Sequence, residues 1–291
     1  MSKIQKVAVL GAGIMGRGII KHLRQSGFGL RLYNRTASKL HGLGGAGEVI
    51  CGSPAEAAEG ADAVISIVAD DVASRQVWLS DTGALWSMTP GSVAVEISTL
   101  STGYAQEWEC SVRKRGVSPV AAPVTGSRSG AEDGNLVIFA GGELDAIERA
   151  LPLFSAIGQQ VIRLGQIRDA VGFKLVYNML CGTILVAAAE ALTLAEFLTL
   201  DLGQVTDILA AHGWASGVAI SKGKKMAAAE FDDVECAVKT ITKDLRYALD
   251  TLPADPTVLP VSAHAQFQLS RACTKDMADM DMAVIKSVYR L

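Results

Sequence analysis

Lys174 and Asn178 stand one helical turn apart in a stretch, roughly residues 169–200, that is apolar nearly all round and free of proline. A 3.6-residue period places Val171, Lys174, Asn178, Cys181 or Gly182, and Leu185 on one stripe of a single long helix. Burying a lysine without partners is expensive, so the pair needs a reason to be there. A protonated lysine can donate to a carbonyl oxygen as hydride reaches the carbon, and desolvation lowers its pKa toward the range useful for acid–base work. Asn178 can hold the same oxygen or the lysine itself. On spacing alone, a lysine snorkelling to a domain surface explains the pair equally well.

Two further segments carry candidate chemistry. The run Ala122-Pro123-Val124-Thr125-Gly126-Ser127-Arg128-Ser129-Gly130-Ala131-Glu132-Asp133-Gly134 is rich in small residues, hydroxyls and free N–H groups. Lying between two expected strands, it is either a flexible turn or a loop that wraps a carboxylate with backbone and hydroxyl donors, Arg128 adding a charge or merely being solvated. In Thr240-Ile241-Thr242-Lys243-Asp244-Leu245-Arg246-Tyr247, helical spacing sets Lys243 and Tyr247 on one face. A Lys-Asp pair on a helix is ordinarily surface decoration.

The chain begins with Val7-Ala8-Val9-Leu10 running into Gly11-Ala12-Gly13-Ile14-Met15-Gly16. A strand entering G-x-G-x-x-G ahead of a helix is the pattern of a dinucleotide site: the glycines serve the tight turn, the approach of the pyrophosphate and close helix–strand packing. The pyrophosphate sits on the helix N-terminus, where unpaired N–H groups and the dipole favour negative charge. NAD sites usually end the second strand with an acid that binds the ribose hydroxyls. Here that strand ends in Asn34-Arg35-Thr36. A guanidinium binds a 2′-phosphate that a carboxylate would repel, so NADP(H) is the expected cofactor, with Arg35, Thr36 and Lys39 near the phosphate; the alternative is an arginine merely solvated in a loop.

The elements that must position these residues fall into two groups. Strands are expected at 6–10, 29–33, 48–50, 63–68, 92–97, 117–120, 136–140 and 160–164, alternating with helical stretches. That alternation means an α/β Rossmann domain, a doubly wound, mostly parallel sheet, over residues 1–164. Ligands bind at the carboxyl ends of such strands, which makes Val68, Ala69, Asp70, Ser98 and Thr99 either further cofactor contacts or plain strand-ending loops. Residues 165–291 read as an all-α domain built on the long interdomain helix, with later breaks at Gly213, Gly217, Gly223 and Pro253. A helix with no polar face must be buried on all sides, in a domain core or between the subunits of a dimer.

With 49% hydrophobic and 20% charged residues and a net charge of −3, the 291-residue composition is that of an ordinary soluble enzyme. No basic excess points to nucleic acid or an anionic membrane. The longest apolar stretch, 179–189, is too short to span a bilayer, and the first apolar run is the glycine fingerprint rather than a signal peptide. Five scattered cysteines and four dispersed histidines argue against a disulfide framework or a metal site, and fit a reducing, cytoplasmic setting.

Taken together, the fingerprint, Ala122-Pro123-Val124-Thr125-Gly126, Gly172-Phe173-Lys174-Leu175-Val176-Tyr177-Asn178 and Lys243-Asp244-Leu245 resemble the β-hydroxyacid dehydrogenase family, which includes 3-hydroxyisobutyrate and 6-phosphogluconate dehydrogenases. They stand in family order, and the resemblance covers essentially the whole chain. It implies that Lys174 is the catalytic acid/base, that Asn178 supports substrate and lysine, and that Thr125, Gly126 and Ser127 bind the substrate carboxylate. It further implies that Thr99 and Lys243 lie at the cofactor, and that the long helix packs in a homodimer or homotetramer interface. Asn34-Arg35-Thr36 and Gly126-Ser127-Arg128-Ser129 look most like the NADPH-linked glyoxylate and succinic semialdehyde reductase branch. Where members often carry Asp-Ala-Pro-Val-Ser-Gly-Gly, this chain has Ala121, Thr125 and Ser127. The resemblance thus implies an NADP-dependent reductase of small anionic carbonyl compounds, reversible toward the hydroxy acids. Imine reductases share the fold and often the Asn-Arg-Thr loop but generally lack the lysine. A non-catalytic NADP(H)-binding sensor has no need of one.

Overall fold

The residues described by the computed structural model are 4–43, 48–212, 217, 222–251, 259–274 and 276–289. They form two compact units, Met1–Lys174 and Leu175–Leu291.

The first unit is organised around the apolar run that ends in the glycine fingerprint. Val7, Ala8, Val9 and Leu10 of β1 (Lys6–Leu10) are completely buried, as a central strand of a sheet covered on both faces requires. To one side of β1 lie β2 (Gly29–Tyr33) and β3 (Val49–Ile50). To the other lie β4 (Ala63–Ser66), β5 (Val93–Glu96) and β6 (Ser118–Ala121), all parallel. The order β3-β2-β1-β4-β5-β6 reverses direction between β1 and β4, the point where α/β sheets open a crevice beyond their carboxyl ends. Three strands complete the sheet: β7 (Val124–Thr125) and β6 pair antiparallel with β8 (Leu136–Gly142), and β9 (Gly158–Arg163) pairs parallel with it.

Alternating side chains feed two cores. Val7 and Val9 face Ile19, Ile20 and Leu23 of α1 (Ile14–Gln25) and Leu153 and Phe154 of α6 (Leu144–Ile157). Ala8 and Leu10 face the other side, where α2 (Pro54–Ala58), α3 (Asp71–Leu79) and α4 (Thr102–Lys114) contribute Ala57, Trp78 and Trp108. The short helix α5 (Ser127–Asp133) packs on α1.

Two differences from the sequence reading have local causes. The expected strand 63–68 stops at Ser66, because the Val68 N–H is taken by the Ser98 hydroxyl and Asp70 begins α3. Strand β7 lies inside the segment expected to be loop, since Val124 and Thr125 find partners in Ile138 and Val137.

The long helix α7 (Ile167–Phe197) contains the boundary between the units. In the second unit its Leu185, Val186, Ala189 and Leu192 pack with Val238, Ile241 and Leu245 of α10 (Val238–Leu249). Ala265 and Leu269 of α11 (Pro260–Cys273) and the 3-10 turns at Met282–Tyr289 complete that core. Shorter helices α8 (Leu202–Ala211) and α9 (Lys224–Ala228) stand between them in sequence. Gly223 has helical dihedrals, so the expected break there does not occur, and Gly213 and Pro253 lie outside the described residues.

Of the two burials expected for α7, the core of the single chain accounts for one side only. Val176, Leu180, Leu194 and Phe197 are each more than half exposed, because the single chain covers only the other side of the helix. By length and composition alone, α7 is also long and apolar enough to cross a membrane, which the shorter apolar count did not register.

Candidate active site

At the sheet's carboxyl edge, the fingerprint glycines divide into two kinds. Gly11 has φ 117°, and a Cβ there would lie 2.1 Å from the Ile67 carbonyl oxygen. A Cβ on Gly16 would meet the Gly11 carbonyl oxygen at 2.2 Å. Both are glycine because backbone fills the space. Around Gly13, by contrast, a Cβ would meet nothing within 4 Å. The opening lies where α1 starts, and Gly13 supplies no side-chain cap to its first N–H groups. An open backbone surface and uncapped N–H donors at a helix start fit the pyrophosphate of a dinucleotide. Ala12 is buried, Met15 half-buried and Ile14 exposed.

Asn34 is structurally committed. Its Oδ1 accepts from Ala12 N at 2.9 Å and its Nδ2 donates to the Thr36 carbonyl at 2.8 Å, tying the end of β2 to the fingerprint turn. Arg35 and Thr36 are left exposed beside it. Asp70 is also committed: its Oδ1 caps α3 by accepting from Ala73 N at 2.8 Å. Val68 and Thr99 are half-buried and Ala69 exposed, on the loops that follow the neighbouring strands β4 and β5.

Beneath those loops lies Glu96, which the sequence reading did not single out. It is 2% exposed at the end of β5, and burial raises its pKa above the ordinary carboxyl value while Ser74, Ser98 and Trp78 oppose the rise with hydrogen bonds. The signal was present in Val93-Ala94-Val95-Glu96-Ile97, an acid inside an otherwise apolar strand.

The carboxylate-binding candidates and the lysine share a support. Thr125 is on β7 and pairs with Val137 of β8. Further along β8, the Phe139 ring meets Phe173 edge-on with centroids 4.8 Å apart. Gly141 fits so closely against α7 that a Cβ would lie 2.4 Å from the Gln166 carbonyl oxygen. One strand therefore braces both the Thr125–Gly126–Ser127 turn and the helical turns that carry Lys174, which is only 8% exposed. The turn itself is tightly wound: Gly126 has φ 132° and Ser127 φ 54°, a left-handed conformation that costs a residue with a Cβ about 1–2 kcal/mol. Arg128, in α5, lies 3.8 Å from Glu132.

In the second unit, Asn178 and Lys243 converge on buried Asp244. Asn178 Nδ2 donates to Asp244 Oδ2 at 2.6 Å, and Lys243 Nζ lies 2.7 Å from Oδ1, an ion pair not in line for a hydrogen bond. An ionised carboxylate only accepts, so this contact orients the Asn178 amide. Lys243 also stands 4.8 Å above the Tyr247 ring. The pair expected to decorate a surface is thus an interior anchor, and the partner that sequence spacing did not reveal is Asn178, far away in the chain.

Comparison with known proteins places the chain in a family. The family model for the NAD binding domain of 6-phosphogluconate dehydrogenase matches residues 6–165. That for NAD-binding of NADP-dependent 3-hydroxyisobutyrate dehydrogenase matches residues 169–289. Glyoxylate/succinic semialdehyde reductase 1 of Arabidopsis thaliana is 30% identical over 284 residues, 97% of this chain and 98% of that protein. The cytokine-like nuclear factor N-PAC of Homo sapiens is also 30% identical, over 98% of this chain, which spans 51% of N-PAC. Among solved structures, Mycobacterium tuberculosis 3-hydroxyisobutyrate dehydrogenase with L-serine shares the fold, with a TM-score of 0.86, 24% identity and coverage of 99% of this chain and 100% of that one.

Proposed function

Because this chain belongs to the β-hydroxyacid dehydrogenase family, with a pyridine-nucleotide-binding Rossmann domain, we propose that it is an NADPH-dependent reductase of small carboxylate-bearing aldehydes or ketones, reversible toward the β- or γ-hydroxy acids. The observation that carries this reading is the buried Lys174, braced by the same strand as the Thr125–Gly126–Ser127 turn. A sensor has no use for such a lysine, and a general acid does.

When bound, the nicotinamide supplies the hydride. The chain's residues do the rest. Thr125 offers a hydroxyl and Gly126 and Ser127 offer N–H groups in a turn whose conformation is set before the ligand arrives, so a carboxylate is held without further ordering. That grip fixes the carbonyl relative to Lys174, whose ammonium donates to the oxygen as negative charge builds there. With so little water reaching the lysine, its charge is less screened than it would be in solvent as the alkoxide develops. Asn178, its amide oriented by Asp244, supports the substrate or the lysine from the next turn of α7. At the far end of the cofactor, Arg35 and Thr36 recognise the 2′-phosphate in place of the acid that would repel it. The exposed stripe on α7 fits burial against a second copy, so a homodimer or homotetramer belongs to the same proposal.

The test is initial-rate oxidation of NADPH, with NADH in parallel, against glyoxylate, succinic semialdehyde, methylmalonate semialdehyde and a cyclic imine. Turnover of an aldehyde with NADPH preferred is expected. Reduction of the imine alone would move the chain to the imine reductases, and tight cofactor binding without any turnover would make it a sensor.

A further inference from the structure

Glu96 is a fully enclosed carboxylate that the hydride-transfer chemistry does not use, and its surroundings are fully specified. Its Oε2 accepts from Ser74 Oγ at 2.6 Å and from Trp78 Nε1 at 2.8 Å, both on α3. On the other side Oε1 accepts from Ser98 N at 2.9 Å, and the Ser98 hydroxyl donates to the carboxylate as well. Four donors match the four lone-pair sites of one carboxylate. The same Ser98 Oγ then accepts from Val68 N at 2.8 Å. A continuous set of hydrogen bonds thus runs from α3 through Glu96 to the loop after β5, and back to the loop after β4. At the rim, Asp71 repeats the connection by accepting from Ser101 N at 2.9 Å and Ser101 Oγ at 2.6 Å. Tyr104 OH closes it from α4 by donating to Ser74 Oγ at 3.1 Å.

A buried strand end needs none of this. The position could be filled by valine or isoleucine like its neighbours, and a buried carboxylate is a costly alternative. What the carboxylate does that an apolar side chain cannot is link two loops through hydrogen bonds and so fix their relative positions. Those loops carry Val68, Ala69 and Thr99. We propose that Glu96 is a positioning residue for the dinucleotide, holding the loops after β4 and β5 in the single arrangement that receives it. The proposal rests on the reading that those loops contact the cofactor.

The donors make a discriminating experiment possible. Trp78 Nε1 and Ser98 N can only donate, and they address different oxygens. Glu96→Gln therefore keeps size and polarity but turns an NH2 group toward one of them, leaving opposed N–H groups. Dissociation constants for NADPH and for NADH are measured by fluorescence titration on the full chain, without aldehyde. The variant is expected to bind both nucleotides about tenfold more weakly, the effect of one unsatisfied buried donor, and by the same factor because the clamp is remote from the 2′-phosphate. Adding Trp78→Phe removes the opposed donor on the Oε2 side. The double variant should regain most of the affinity for both nucleotides even though its melting temperature falls further, because a buried indole has been trimmed. A purely structural role predicts the reverse, with binding and stability both worse in the double variant.

Ser98→Ala cuts the Val68 link while leaving the glutamate in place, and is expected to weaken both nucleotides about three- to tenfold, which keeps the test available if Glu96→Gln does not fold. Unchanged affinities in Glu96→Gln, or in Ser98→Ala where the glutamine variant is lost, would overturn the proposal. So would a double variant that binds no better than Glu96→Gln. If the wild-type chain bound neither nucleotide, the cofactor reading itself would fall, and the clamp with it. Unaltered wild-type binding alongside an indifferent Glu96→Gln would remove the clamp alone.

Discussion

Replacing Lys174 with methionine removes the ammonium while keeping the length and most of the volume of the side chain. The core therefore stays filled. Folding and cofactor affinity should survive: the variant is expected to unfold cooperatively, and the NADPH dissociation constant to stay within about twofold. Turnover should not survive. A positioned general acid contributes about 10²- to 10⁴-fold. Since Lys174 is only 8% exposed, solvent is a poor substitute donor, which puts the loss at the upper end. The expected decrease in kcat is about 10³- to 10⁴-fold, or roughly 4–5.5 kcal/mol of transition-state stabilisation. The assay is NADPH oxidation at saturating cofactor with whichever aldehyde the wild-type enzyme prefers. The shorter Lys174→Ala variant leaves room for a small amine, so added methylamine should restore part of its rate and leave Lys174→Met unaffected. A Lys174→Met enzyme within about fivefold of wild type would refute the acid–base assignment. A loss confined to KM would instead make the lysine a binding group.

Other positions test the remaining parts separately. Arg35→Ala should reduce kcat/KM for NADPH about ten- to thirtyfold, the lower range of a charged hydrogen bond because the site is open to solvent, with NADH unchanged; an unaltered NADPH/NADH ratio would remove its 2′-phosphate role. Asp244→Ala takes the shared acceptor from Asn178 and Lys243 and should lower kcat/KM for the aldehyde about ten- to hundredfold, as steady-state kinetics will show. Asp281 tests stability rather than chemistry. It is fully buried 3.0 Å from Lys222, and although burial alone would raise its pKa, the N–H groups of Ala283 and Glu235 and the lysine hold the carboxyl below the ordinary range. A depressed folded pKa gives stability that is complete above the unfolded pKa, about 4, and is lost as pH falls through the folded value. Asp281→Asn should cost about 3–5 kcal/mol at pH 7 and flatten that acid-side loss, measured as melting temperature against pH.

Much of the first unit was legible because its signals are local. A buried parallel strand is a short apolar run, a dinucleotide turn is three glycines at fixed spacing, and both can be read without knowing what lies elsewhere. Residues 6–10 and 29–33 are strands as read, and the sheet alternates as expected. What local patterns could not supply was competition for hydrogen bonds. The run 63–68 looks like one strand until the Ser98 hydroxyl takes the Val68 N–H. Val124 and Thr125 look like loop until Ile138 and Val137 are placed beside them. The helix α7 is a different case: its apolar surface is real, but one chain has only enough partners for part of it, so composition showed the demand for burial and not what meets it.

The candidate site shows the same division more sharply. Lys174, Asn178, Asp244 and Glu96 each interrupt an apolar pattern, and an interruption is visible in sequence because an isolated polar group in a core is costly. The identity of the compensating group is not visible, since Asn178 meets Asp244 across 66 positions and Glu96 meets Ser74 across 22. Spacing therefore favoured residues that lie close together, such as Lys174 with Asn178, and assigned Asp244 to a surface and Glu96 to nothing. Once the partners are known, the four fall into two kinds. Lys174 is carried by helical turns braced on the same strand as the turn proposed to hold a substrate, and Asn178 follows it one turn later on α7. Asp244, with Oδ2 on Asn178 and Oδ1 paired with Lys243, and Glu96, with both oxygens on protein donors, are placed to hold other groups still. The distinction gives different kinetic signatures: loss of Lys174 should remove turnover and spare cofactor affinity, whereas loss of Glu96 should weaken the cofactor and spare turnover once the enzyme is saturated.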